Sequence, residues 1–192
     1  MRDQFIFLGI PTPQRRKLTA QVVRTRGQAG VDWEFVFRCW DEPEREFQYL
    51  AVDYLIQRKA AVTPADMPRL ERLIVTKSWW DTVDALDRVV GAARLAHPEL
   101  DDILLRWSVS DNIWLRRTAI DHQLTLKDQT DTALLERILV NNLGQTEFFI
   151  NKAIGWSLRD YSKTDPEWVR AFIARHRDGL AALSVREASK YL

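Results

Sequence analysis

An all-α chain stacked from helix pairs is what this sequence predicts, and three observations carry that prediction. Apolar residues recur at three- and four-residue spacing, as one buried face of a helix requires. No segment sustains the period-two alternation of a half-buried strand. Aromatic residues also head helices at a near-constant interval: Phe47, Trp80, Trp114 and Phe149 follow one another at 33, 34 and 35 residues (80−47, 114−80, 149−114).

Read in order, the chain divides into about ten helices. The first, 12–25, opens on Thr12-Pro13, a capping hydroxyl before a proline at the first helical position. Helices over 32–40 and 43–59 follow; in the second, Glu44 and Glu46 come just after Pro43 and complement the dipole of the first turn. Thr63-Pro64 repeats the capped-proline start for 63–76, whose buried stripe is Leu70, Leu73 and Ile74. The segments 79–96, 98–108 and 112–126 come next, the middle one opened by His97-Pro98. Leu134, Leu135, Ile138 and Leu139 carry the helix 131–143. The last segments are 147–162, then 165–177 with the good cap Asp165 before Pro166, and a short helix from 184.

Between successive aromatic heads lies a second, less distinctive amphipathic helix. Helix pairs at a period in the thirties are the signature of an α-solenoid. The TPR consensus is absent, so the stack reads as HEAT-like: an α-α superhelix whose inner helices line a concave groove. All of 1–192 reads as a single repeat domain of this kind.

Composition narrows the class. With 46% hydrophobic and 29% charged residues the chain is ordinary soluble globular protein, which argues against wholesale disorder. The net charge is +1, so nucleic-acid binding requires the 28 basic residues to be segregated on one face. The lone Cys39, between Phe37 and Trp40, excludes an intramolecular disulfide and reads as a buried thiol in a reducing compartment. Three scattered histidines, His97, His122 and His176, offer no His/Cys metal cluster. No apolar run reaches membrane-spanning length and the first residues do not form a signal peptide, so a cytoplasmic protein is expected. There is no Gly-rich phosphate loop and no readable nucleophile triad.

Three blocks hold the residues that could carry chemistry: Lys77 to Asp84, Ser110 to Arg117, and Asn151 to Arg159. Trp80 and Asp84 are four residues apart and share one helix face. Two readings fit them: a ring and carboxylate displayed in the groove, or a packed ring beside an Asp that caps a helix or pairs with an arginine. Trp79 points elsewhere, into the core. Arg116 and Arg117 form either a solvated face or, with one turned to the groove, a fork suited to phosphate. Lys152, Trp156 and Arg159 make a stripe of cation, ring and cation, fitting a nucleic-acid backbone or a protein interface. His122 and His176 read as structural.

Taken together, these blocks resemble the AlkD family of bacterial DNA-alkylation-repair glycosylases. The resemblance is carried by Phe7 to Arg16, Trp40 to Gln48, Leu73 to Asp84, His97 to Leu100, Ser110 to Arg117 and Phe148 to Trp156, and it runs over essentially the whole chain. It implies that Asp84 is the catalytic carboxylate, that Trp80 and Trp156 flank the lesion's deoxyribose, and that Arg117 holds the DNA backbone near it. Lys152 and Arg159 would position further phosphates. It also implies excision of purines alkylated at N3 or N7 without extruding the base, with no cofactor or metal, on duplex DNA and by a monomer. Family members begin with additional helices, so the N-terminal repeat here reads as shortened. The apolar run Phe5-Ile-Phe-Leu8 is expected to fold back over it.

The chemistry suits the residues. A purine alkylated at N3 or N7 is cationic and departs neutral, so no general acid is needed to protonate it. One carboxylate then suffices to stabilise an oxocarbenium-like sugar and position water. The alternative is a catalytically weak HEAT-like module that binds nucleic acid or protein, since fold alone does not decide function. Convergence of Trp80, Asp84 and Trp156 favours the enzyme; an Asp84 locked into an internal ion pair favours the module.

Overall fold

A computed structural model describes residues 3–26 and 30–192 of the chain. Eleven α-helices run through the described residues: α1 Thr12–Thr25, α2 Trp33–Asp41, α3 Arg45–Arg58, α4 Met67–Val75, α5 Trp80–Ala96, α6 Asp101–Ser108, α7 Ile113–Asp121, α8 Thr132–Val140, α9 Phe148–Tyr161, α10 Pro166–Arg175 and α11 Ala182–Ala188. None of them is long and apolar enough to cross a membrane.

The helices form two layers. α1, α3, α5, α7, α9 and α11 pack each on the next, and α2, α4, α6, α8 and α10 back them, as a HEAT-like repeat stack requires. Side chains such as Leu55, Ile74, Leu86, Ile120, Ile138 and Phe172 lie fully buried between the layers. Each contributes about 1.5–3 kcal/mol from leaving water.

The repeat period is written in ion pairs as well as in rings. Arg15 meets Asp53 at 2.8 Å, Arg45 meets Asp81 at 2.7 Å, Arg117 meets Asp84 at 2.6 Å and Arg94 meets Asp131 at 2.7 Å. These partners lie 38, 36, 33 and 37 residues apart, so each pair fastens one repeat to its neighbour.

Most element ends follow local chemistry. Asp131 and Asp165 cap α8 and α10 by accepting from Leu134 N and Trp168 N. Thr63 and Asp66 form a reciprocal capping box, but around a single 3-10 turn that precedes α4. Thr12 differs from the expectation: it is already helical, and Pro11 occupies the cap position without a side-chain bond. The helix expected over 112–126 stops at Asp121 and gives way to turns that carry left-handed residues at Thr125 and Lys127 (φ 69° and 55°).

The N-terminal segment does fold back, but through its backbone. Leu8, Gly9 and Ile10 donate N–H bonds of 3.0, 2.9 and 3.2 Å to the Glu46 carboxylate, and Ile6 C=O accepts from Arg45 N at 2.8 Å. Phe5 lies 3.9 Å from the Arg45 guanidinium. Ile6, Phe7 and Leu8 leave their side chains exposed. Glu46 thus anchors a loop, a role beyond the helix dipole.

Candidate functional site

The site begins at the turn before α5. Lys77 adopts φ 48°, an uncommon conformation for a residue with a Cβ. Its Nζ donates to the carbonyls of Asp41 and Glu42 at 3.0 and 2.6 Å, and its own carbonyl accepts from Arg45 at 2.8 Å. Beyond this clamp and Ser78, two successive tryptophans point in opposite directions. Trp79 goes inward against Trp114 and Phe149, at ring separations of 5.8 and 5.4 Å. Trp80 starts α5 and stays 44% exposed.

One turn later Asp84 opens onto a cleft of about 380 Å³ that Arg15, Tyr49, Asp53, Trp80 and Arg88 also line. Its side chain is 21% exposed. The Arg117 guanidinium grips the carboxylate as a fork, donating from Nε at 2.6 Å and from Nη2 at 2.8 Å. Nη1 donates to the Phe149 carbonyl at 2.6 Å. Arg117 is only 2% exposed, so the expected contact with DNA backbone gives way to a different placement. The reason is register: Arg117 sits on the face of α7 turned toward α5 and α9, where three acceptors meet it. Burial disfavours its charge, but attraction from Asp121 and the bond and charge of Asp84 outweigh that and raise its pKa. Arg116, its neighbour, instead donates to Asn142 at 2.8 Å.

Trp156 joins the group from α9, its ring 5.3 Å from the Arg117 guanidinium. Lys152 and Arg159 lie 5.5 and 5.8 Å from the same ring, so the expected stripe forms. Both cations are bound: Glu187 of α11 meets Lys152 at 2.9 Å, Arg159 at 3.0 Å and Lys190 at 2.8 Å. Hydrogen bonds from Lys190 and then Lys152 hold the Glu187 carboxyl down to about 2. Gly155 makes this crossing possible, because a Cβ there would lie 2.5 Å from Glu187 Cβ. Asp84 and Trp156 therefore converge on Arg117, with Trp80 flanking Asp84 from the same helix.

Beneath Arg117 lie two buried carboxyls, Asp87 and Asp121, which with Asp84 bring ligand atoms within 4.8 Å of one another. This is the one group among the described residues with metal-ligand spacing. Arg117, 3.6 Å from Asp121 and bonded to Asp84, supplies the positive charge a cation would otherwise bring.

The histidines are structural in placement. His122 is buried, its Nδ1 paired with the Ala119 carbonyl at 2.7 Å, and burial pushes its pKa down to about 4. His176 packs on Phe172 and meets Glu136 at 3.1 Å. Burial likewise pushes the Cys39 thiol up to about 11.

Sequence reasoning missed Arg88, Glu187, Asp87 and Asp121. Arg88 was legible, since Trp80, Asp84 and Arg88 continue one stripe at i, i+4 and i+8. It is exposed and, among the described residues, free of any ion pair, while its side chain borders three adjoining clefts of the same face. For Glu187 no local signal exists.

A family model and a solved structure point to the same family. The family model described as DNA alkylation repair enzyme matches residues 1–192. A solved structure described as a predicted DNA alkylation repair enzyme from Enterococcus faecalis is similar at 34% identity and TM-score 0.89, over 100% of this chain and 90% of that one. AlkD2 from Streptococcus mutans is similar in fold at TM-score 0.70 and 15% identity, over 92% of this chain and 89% of that one. No curated protein matches the chain.

Proposed function

The chain belongs to the DNA alkylation repair enzyme family, and on that premise we propose that it is a DNA glycosylase. It excises purines alkylated at N3 or N7 from duplex DNA, hydrolysing the N-glycosidic bond and leaving an abasic site. The observation that carries this reading is the stripe Trp80, Asp84, Arg88, in which an oriented carboxylate faces an open cleft between a ring and a cation.

Each group has a part in the reaction. The lesion's purine is cationic, so the glycosidic bond breaks with its electrons leaving on a neutral base. Positive charge then builds on the sugar. Asp84 stabilises that charge and orients the attacking water, and the Arg117 fork fixes it in place so that no reorganisation is needed. The exposed face of Trp80 adds about 0.5–2 kcal/mol of cation–π attraction. Trp156, held among Arg117, Lys152 and Arg159, offers a second ring next to the Arg117 fork. Arg88 binds a phosphate, and Lys152 and Arg159, about a quarter exposed, share their charge between Glu187 and the backbone. Such contacts position DNA without reading its sequence. The resemblance to AlkD-type glycosylases implies that the base stays in the stack while the carboxylate acts on the sugar.

A second reading, a binding module of the same fold, is favoured by the Asp84–Arg117 ion pair. Release of 7-methylguanine from methylated duplex by wild type and Asp84→Asn separates the two. The enzyme reading expects excision by wild type, most of it lost in the variant, with DNA affinity unchanged or slightly raised as a negative charge leaves the groove. An unimpaired Asn variant removes Asp84 from the chemistry.

A further inference from the structure

Asp87 and Asp121 are each 1% exposed, and none of their four carboxyl oxygens has a hydrogen-bond partner. Buried carboxylates without partners are costly, so two of them side by side call for a physical account. Asp84 and Asp87 lie on α5, and Asp121 follows Arg117 by one turn on α7. The guanidinium stands between them, 2.6 and 2.8 Å from Asp84 on one side and 3.6 Å from Asp121 on the other.

Three carboxyls and one enclosed guanidinium cannot all be ionised away from water. Full ionisation would leave two uncompensated negative charges, so protons must remain on the deepest groups. Burial first, then the Asp121 and Asp84 charges, hold the Asp87 carboxyl well above the usual range. Burial pushes Asp121 up to about 7, with Arg117 opposing and Asp84 adding. The charges acting on Asp121 are Arg117 on its own helix and Asp84 on α5; on Asp87, Arg88 acts as well. His122, next to Asp121, is neutral above about 4. From α9 comes the Phe149 carbonyl on Arg117.

We propose that Asp121 is a positioning residue for the Asp84 carboxylate, competing with it for Arg117 from the buried side. This rests on Asp84 being the catalytic carboxylate. When Asp121 is neutral, the Arg117 charge belongs to Asp84 alone and the pair is neutral as seen from the cleft. When Asp121 ionises, Arg117 is shared and the trio carries one net negative charge. In the transition state the positive charge moves from the base onto the sugar facing Asp84, so the added negative charge favours the transition state over the bound cationic substrate. Excision therefore quickens as pH rises through the ionisation of Asp121.

The test is single-turnover excision of 7-methylguanine with saturating enzyme from about pH 5.5 to about pH 8.5, in wild type, Asp121→Asn and Asp87→Asn. The wild-type rate should rise about tenfold across a step centred near 7. Asp121→Asn should run flat at the low-pH rate, and Asp87→Asn, which mimics the protonated side chain, should keep the step. A step persisting unchanged in Asp121→Asn overturns the inference alone. Absence of excision by wild type at every pH overturns the glycosylase reading and this inference with it. If Asp121→Asn does not fold, carboxyl carbon-13 spectra of the wild type decide. The Asp84 resonance should respond as Asp121 titrates, and an indifferent Asp84 overturns the coupling.

Discussion

Replacing Arg117 by alanine removes the one cation that faces three carboxyls. Lost outright are the two bonds to Asp84, at 2.6 and 2.8 Å, and the bond that satisfies the Phe149 carbonyl at 2.6 Å. Breaking a buried ion pair from one side costs about 3–5 kcal/mol, and an orphaned carbonyl about 1–3 kcal/mol more. Asp84 is 21% exposed and recovers part of its hydration, which brings the net expectation to about 3–5 kcal/mol. At this chain length each kcal/mol lowers Tm by about 2–4 °C, so a drop of about 6–20 °C is expected. The loss should be larger at pH 8 than at pH 5. Asp121 has a folded pKa above its unfolded value, so the folded state holds an extra proton from about 4 to about 7 and loses stability as pH rises through that window. Arg117 pulls that pKa down, and without it the window extends upward. Circular dichroism melts at the two pH values, with Arg117→Lys as the variant that keeps charge but loses the fork, measure this directly. A variant melting within a degree or two of wild type, yet binding all duplexes more weakly, would show Arg117 to be a phosphate ligand and refute the reasoning.

Three further outcomes are expected. Arg88→Ala should weaken damaged and undamaged duplex alike by about 1–3 kcal/mol and reduce the slope of affinity against salt by about one ion; an unchanged salt slope places DNA elsewhere. Glu46→Ala should free the three backbone donors at Leu8, Gly9 and Ile10 and speed amide exchange there, with excision little changed; protected amides would mean that the segment is held by other contacts. Asp121→Asn should remove one contribution to the pH dependence of stability between pH 5 and pH 7, worth a loss of up to about 1.4 kcal/mol per pH unit in the wild type; parallel urea titrations of the two proteins detect the difference in slope.

Much of the architecture was legible because it is local. Leu70, Leu73 and Ile74 declare the buried face of α4, Asp131 and Asp165 declare helix starts, and the aromatic heads from Phe47 to Phe149 mark the repeat. Spacing of four also put Trp80 and Asp84 on one face, which the structure keeps. Helical spacing fixes the angle at which a side chain leaves its own axis, and nothing more. Which neighbour it meets depends on how successive repeats dock. Spacing left Arg117 as either a solvated side chain or a fork for phosphate, but docking of α7 between α5 and α9 turned it onto Asp84 and the Phe149 carbonyl. Docking of α11 at Gly155 placed Glu187 among Lys152, Arg159 and Lys190, and the crossing of α5 with α7 stranded Asp87 and Asp121 without hydrogen-bond partners. Local periodicity thus determined the helices and their repeat from the residues alone. The pairing of charges 28 to 38 residues apart, and with it the electrostatics of the site, was decided only when the repeats closed on one another.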